Sequence, residues 1–255
     1  MRTATSEAPS SQKRFIMSAT FFGIEKDHVQ AMAHPVSEQN RMVLRHAGVF
    51  TVGIFGGPGS GKTTLVDAAI ERLTPGVRVG VVACDVFSHR DADRIGRRSR
   101  QVVQVSTGDG GVVNPGHIRE ALLRLDLKQL DLVLIENVGS LTGLASLDLG
   151  QEATMALLSV AGGDDKADKH PDLVRAADVV LLNKTDLLHA LPFNLAAFRD
   201  DVRRINPTAS LFELSTLHGD GIDPWIRWLK SNIAAFQEKC HAVAQHDGGV
   251  SNWFG

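Results

Sequence analysis

Hydrophobic positions in this chain fall into short, nearly continuous runs separated by segments of helical period. The runs "VFTVGIF" (49–55), "RVGVVAC" (78–84), "QVVQVS" (101–106), "LDLVLIE" (130–136), "ADVVLLN" (177–183) and "ASLFELS" (209–215) have strand length and are mostly rich in β-branched residues. The stretch "TMALLSVAGG" (154–163) predicts a seventh strand. Between them lie the helical patterns "TTLVDAAIERL" (63–73), "GHIREALLRL" (116–125), "LAAFRDDVRRI" (195–205) and "PWIRWLKSNIAAFQ" (224–237). A strand buried on both faces has no polar side and reads as a continuous apolar run. The pattern therefore predicts an α/β three-layer sandwich around a mostly parallel sheet of about seven strands.

The ends look different. Residues 1–35 are rich in Ser, Thr and Ala without a period, which predicts a flexible N-terminal arm. A single domain is expected over 36–238 and a short tail over 239–255. The domain should open with a helix capped by Ser37, made apolar on one side by Met42, Val43 and Leu44, and ended by Gly48. With 255 residues, 43% of them hydrophobic, the chain can bury one sizeable core. A net charge of -2 argues against a nucleic-acid partner, and the basic cluster "RIGRRSR" (94–100) reads as a solvated helix face. Two cysteines, Cys84 and Cys240, do not make a disulfide framework, so a reducing, cytoplasmic location is expected. The run "FIMSATFFGI" (15–24) is too short to span a bilayer and lacks a clean cleavage site, so no membrane association is predicted.

Chemistry enters directly after the first run. "GGPGSGKTT", Gly56 to Thr64, fits G-x-x-x-x-G-K-[ST] between a strand and a helix. Gly57, Gly59 and Gly61 let the backbone fold tightly, so that N–H groups through Ser60 and Thr64 converge on phosphate oxygens at a helix N-terminus. Lys62 adds a full positive charge, and Thr63 offers a hydroxyl to Mg²⁺.

The base is read elsewhere. Asn183, Lys184 and Asp186 form N-K-x-D directly after a strand. The carboxylate of Asp186 can accept two hydrogen bonds from guanine N1–H and N2–H₂, which adenine cannot supply, so GTP/GDP is expected over ATP. Ser215, at the tip of the last run, joins the expected nucleotide-binding set. Asp85 ends the second run, where an acid faces the phosphates, and is the other expected Mg²⁺ ligand and orienter of water. Asp91 and Asp93 are either metal contacts or helix-start acids. At the fourth run, Glu136 and Gly139 in "LIENVGSL" hold the interval of the D-x-x-G motif that senses the γ-phosphate. Ser140 follows, where a glutamine would help hydrolysis, so slow turnover is expected.

The blocks "GGPGSGKTT", "DADRI", "STGDG", "DLVLIENVGSL", "LDLGQE", "GGDDKADKHP", "NKTDLL" and "GDGIDPWIRWL" occur in that order. Over roughly 37–235 the chain thus closely resembles the hydrogenase nickel-incorporation GTPases, the HypB family. The related urease accessory GTPases share the P-loop and "NKTDL" but lack "IENVG" followed by "LDLGQE". The resemblance implies a P-loop NTPase fold of the SIMIBI type and a homodimer switched by GTP. Metal would be held at its interface and passed, with other nickel-maturation proteins, toward a [NiFe] hydrogenase large-subunit precursor. It also implies that the charged loop carrying Asp165, Lys166 and Lys169 reaches the partner's nucleotide.

One departure bears on metal. Where the family has a Cys-His pair after "TG" and a second cysteine after "ENVG", this chain has Gly111, Val112 and Gly143, none with a ligating side chain. His28, His34 and His46 are too scattered to form the family's N-terminal histidine tract. His117 is the remaining candidate for a transition-metal (Ni²⁺ or Zn²⁺) ligand near that loop, and "KCHAVAQHD" offers Cys240, His241 and His246. Cys84 reads as a small buried hydrophobe. Two other functions stay open: a regulatory scaffold whose partner carries the nickel, and metal delivery to another metalloenzyme such as urease.

Overall fold

The computed structural model describes residues 26–84, 101–105, 113–137 and 148–246, with side chains between 35 and 243. Seven strands form one sheet: β1 (Phe50–Gly56), β2 (Val79–Ala83), β3 (Gln101–Gln104), β4 (Leu132–Glu136), β5 (Ala153–Ser159), β6 (Val179–Asn183) and β7 (Ser210–Glu213). Every pairing is parallel, in the order β3-β2-β4-β1-β5-β6-β7. Strands β2, β3 and then β4, which inserts between β2 and β1, lie on one side of β1, and β5, β6 and β7 follow on the other. The order therefore reverses at β1, and its carboxyl end is where an open α/β sheet leaves a crevice.

The α-helices among the described residues are α1 (Lys26–His46), α2 (Lys62–Leu73), α3 (Pro115–Leu122), α4 (Lys166–Lys169), α5 (Pro171–Arg175), α6 (Leu195–Ile205) and α7 (Ile222–His246). Alternate strand residues point to opposite faces. Ile54, Leu134, Met155 and Leu181 pack with Leu65 and Ile70 of α2 and Trp225 and Leu229 of α7. Val133, Ile135, Leu158 and Leu182 pack with Leu44 of α1, Ile118 of α3 and Phe198 of α6. The expected three layers result. Strands β1, β2, β4 and β6 are buried throughout, whereas the edge strands β3 and β7 are half-buried to exposed. No helix among the described residues is long and apolar enough to cross a membrane.

All seven expected strands are present, but two boundaries need correction. Helix α1 starts at Lys26, inside the stretch expected to be a flexible arm, and runs through Pro35. Residues 26–34 include good helix formers such as Gln30, Ala31, Met32 and Ala33, and the half from Ser37 onward is docked on the domain. Ser37 is thus no N-cap: it is buried inside the helix and donates its Oγ–H to Asp148 Oδ2 at 3.1 Å. At the other end, α7 continues through the first half of the expected tail to His246, because "QEKCHAVAQH" contains no glycine or proline to stop it. Residues 1–25 and 247–255 lie outside the described residues.

Candidate nucleotide site

The carboxyl end of β1 passes into the P-loop at Gly56, and α2 takes over at Lys62. Gly61 turns the chain at φ 98°, and a Cβ there would come within 2.4 Å of Asn183 Nδ2, so both conformation and space require glycine. Lys62 is only 6% exposed. Its ammonium folds back over the loop, donating to the carbonyls of Gly56 at 3.1 Å and Gly57 at 3.4 Å. Thr63 Oγ1–H donates to Glu136 Oε1 at 2.7 Å, and Glu136 sits buried at the tip of β4. A cavity of about 270 Å³ opens over these groups, lined by Pro58, Gly59, Gly61, Lys62, Thr63, Thr64 and Glu136. A hydroxyl and a carboxylate beside one another are hard oxygen donors, the set that suits Mg²⁺. Asp85, the other expected Mg²⁺ ligand, and Gly139 lie outside the described residues. The Cys84 N–H donates to the Glu136 carbonyl at 2.9 Å, so the end of β2 lies beside Glu136.

The second half of the site grows from β6. Asn183 is fully buried at its tip. Its Nδ2 donates to the Ser60 carbonyl at 2.8 Å, and its Oδ1 accepts from the N–H groups of Lys184 at 2.8 Å and Thr216 at 3.1 Å. One amide thereby ties the P-loop to the loops after β6 and β7. Lys184 is the only non-glycine residue with positive φ among the described residues, at φ 63°, a strained conformation of the kind that collects at functional loops. Ser215, fully buried, donates its hydroxyl to Asp186 Oδ1 at 2.6 Å and accepts from the His218 N–H at 3.2 Å. The Ser215 hydrogen bond holds the Asp186 carboxyl below the usual carboxylate range, with help from the nearby charges of His218 and His189. A second cavity, about 510 Å³, is lined by Lys184, Asp186, Leu187, Thr216 and Leu217 and shares Gly59, Gly61 and Thr64 with the first. The two cavities therefore form one groove, with a phosphate-binding loop at one end and an ionised carboxylate among apolar surfaces at the other.

Residues singled out for metal or for a partner subunit lie elsewhere. Lys166 and Lys169 line neither cavity, and Lys169 Nζ pairs with Asp165 within the same chain at 2.5 Å. His117 closes a capping box at the start of α3: its N–H donates to Asn114 Oδ1 at 3.1 Å, and its Nδ1 accepts from the Asn114 N–H at 3.3 Å. With Nδ1 as acceptor, the neutral ring carries its proton on Nε2, so a metal at this histidine competes with the cap. Cys84 is buried in the core, and Cys240 and His241 ride on α7. Burial pushes the Cys240 thiol up. Among the described residues no three His, Cys, Asp or Glu side chains cluster as metal ligands. Gly111, Val112 and Gly143 lie outside the described residues. Sequence reasoning missed Leu187, Thr216 and Leu217 as lining residues. Their one signal was adjacency to Asp186 and Ser215.

The family model described as CobW/HypB/UreG, nucleotide-binding domain, matches residues 50–213. The chain is 37% identical over 213 residues to the hydrogenase maturation factor HypB of Azotobacter vinelandii, covering 80% of this chain and 70% of that one. Two solved structures superpose on it. HypB from Archaeoglobus fulgidus is 34% identical with a TM-score of 0.76, covering 80% of this chain and 99% of that one. HypB from Helicobacter pylori in complex with nickel is 26% identical with a TM-score of 0.75, covering 80% and 96%.

Proposed function

The chain belongs to the HypB family of hydrogenase maturation factors, nucleotide-binding proteins of the CobW/HypB/UreG type, and from that premise we propose that it is a Mg²⁺-dependent GTPase. In this reading it binds GTP, hydrolyses it slowly, and uses the difference between GTP and GDP to switch a homodimer during nickel insertion into [NiFe] hydrogenase. The observation that supports it best is the bond from Asn183 Nδ2 to the Ser60 carbonyl. That bond fixes the Asp186 carboxylate and the Lys62 ammonium at opposite ends of one groove, the arrangement a guanine mononucleotide needs.

Lys62 exchanges its carbonyl partners for phosphate oxygens and balances charge that develops as the terminal phosphoryl group leaves. Thr63 and Asp85 would hold Mg²⁺, which would supply positive charge to neutralise phosphate oxygens. Glu136 accepts from the Thr63 hydroxyl and, with Gly139, senses the third phosphate. Catalysis is electrostatic positioning without a covalent intermediate. Asn183, Lys184 and Asp186, backed by Ser215, choose the base. The test is binding of fluorescent guanosine, xanthosine and adenosine nucleotides to the protein and to Asp186→Asn. The substitution puts an amide donor where guanine N–H groups need an acceptor, so preference should move from guanosine to xanthosine nucleotides by at least about 100-fold. Unchanged guanine preference would remove the base assignment. Lys62→Ala should abolish binding of all three.

A second reading concerns nickel. Gly111, Val112 and Gly143 offer no ligating side chain, and His117 is engaged in a helix cap. These support a switch that keeps the nucleotide chemistry while a partner carries the Ni²⁺.

A further inference from the structure

A large apolar side chain stands exposed at the Asp186 end of the groove. Leu217, on the turn that follows β7, is 75% exposed. Single exposed hydrophobes are ordinary on protein surfaces. Met42, Leu123, Leu191 and Val243 are others, and none of them lines either cavity. Leu217 differs in its place, because it lines the cavity of about 510 Å³ together with Lys184, Asp186 and Leu187.

The turn that carries Leu217 is closed by hydrogen bonds on both sides of it. The Thr216 N–H donates to Asn183 Oδ1 at 3.1 Å and the His218 N–H to Ser215 Oγ at 3.2 Å. The Gly219 N–H donates to the Ser215 carbonyl at 2.8 Å, and the Ser215 N–H to the Asp220 carbonyl at 2.9 Å. Gly219 sits at φ 85°, where a Cβ would come within 2.8 Å of Arg72 Nη2, and Arg72 in turn pairs with Asp223 at the start of α7. A turn held this way presents its side chain from a fixed Cα and resists local opening. The apolar group therefore projects from a firm support beside the carboxylate.

A purine has a polar edge and two apolar faces, and the two need different partners. Asp186 suits the edge, but water competes for the same hydrogen bonds unless the faces are covered. Leu187 is already packed against the core, so Leu217 is the leucine of this cavity with the most surface left to bury. We propose that Leu217 covers one face of the base, so that nucleotide binding buries this side chain and shields the Asp186 carboxylate from water. The inference rests on the guanine-nucleotide reading above and divides the work within it. Asp186 chooses the base, whereas Leu217 sets how tightly a base is held, because burial of apolar surface has no directional demand. Its contribution is therefore the same for diphosphate and triphosphate, and the same for guanosine and xanthosine nucleotides.

The test is calorimetric titration of the full chain and of Leu217→Ser, Leu217→Phe and Leu123→Ser with GDP, a non-hydrolysable GTP analogue, xanthosine diphosphate and inorganic tripolyphosphate. Leu217→Ser should weaken all three nucleotides about tenfold, because a small polar group takes the place of a side chain that binding would bury. Leu217→Phe restores an apolar surface able to stack and should bind within about threefold of the native chain. Tripolyphosphate has no base and should bind the native chain and Leu217→Ser alike, and Leu123→Ser, as exposed but away from the groove, should change nothing. Leu217 contributes little to the core, so its substitution leaves the fold intact. Unchanged nucleotide binding by Leu217→Ser, no recovery in Leu217→Phe, or an equal loss of tripolyphosphate binding would overturn the proposal. A native chain that binds tripolyphosphate but no guanosine nucleotide would sink the guanine reading itself, and the inference with it.

Discussion

Asparagine at 183 is required by what converges on it: one carbonyl needs a donor, and two backbone N–H groups need an acceptor, all in a fully buried place. Only a side-chain amide of this length supplies both. A comparable fit, but at the surface, joins Arg78 to Asp131. The guanidinium meets both carboxylate oxygens, at 2.7 and 3.0 Å, and the Arg78 N–H adds a third bond at 2.8 Å. The Arg78 side chain, and then its N–H, hold the Asp131 carboxyl below the usual carboxylate range, against burial. A carboxyl with a depressed folded-state pKa stabilises the protein at pH values above its unfolded pKa and loses that contribution as pH falls through the folded value. Arg78→Ala should therefore cost roughly 1 kcal/mol or less at neutral pH, and the gap to the native protein should close as pH drops below about 4. Urea melts at both pH values check this; a gap that widens in acid would contradict it. At this scale the sequence was informative. Lys62, Thr63, Asn183 and Asp186 stand at spacings that the chemistry imposes; Lys62, Thr63 and Asp186 line the groove, and Asn183 is buried behind it.

The elements around the site are held by apolar faces, and α7 is the clearest case. Trp225, fully buried, fills the layer between α7, α2 and the sheet, and Phe236 meets Phe50 with ring centroids 5.6 Å apart. Trp225→Ala should lower stability by about 3–5 kcal/mol through lost burial and the cavity left behind. Guanidinium denaturation would show it as a shift of midpoint at nearly constant slope, and a shift worth under about 1 kcal/mol would mean that the layer collapses around the gap. The same helix shows where element boundaries escape the sequence. Its apolar period fades after Phe236, yet the helix continues because nothing in "QEKCHAVAQH" breaks it. Ser37 read as the start of α1, yet the helix begins at Lys26 and runs through Pro35, and the turns that follow are docked through Ser37, Asn40 and Leu44.

For the whole molecule the proposed switch predicts that association follows the nucleotide. If GTP drives association through charged groups such as Lys166 and Lys169, sedimentation should show a monomer with GDP and a dimer with a non-hydrolysable GTP analogue, with no Ni²⁺ required. A single mass in both states would retire the switch, and a dimer that forms only with Ni²⁺ would point to a transfer site rebuilt from other ligands. What the sequence determined by itself was local: strand and helix identity from apolar period, the P-loop motif from its glycines and lysine, the place of the N-K-x-D motif directly after a strand, and the absence of ligating side chains at 111, 112 and 143. What only the tertiary structure decided was which distant residues meet. That Asn183 braces Ser60, that Ser215 aims Asp186, that His117 caps a helix and that Asn40 gathers Pro115 and Leu149 follow from strand order and helix docking. Those contacts join residues up to 123 positions apart, and a hydrogen bond formed only when the chain is folded leaves no periodic trace in the sequence for a reader to find.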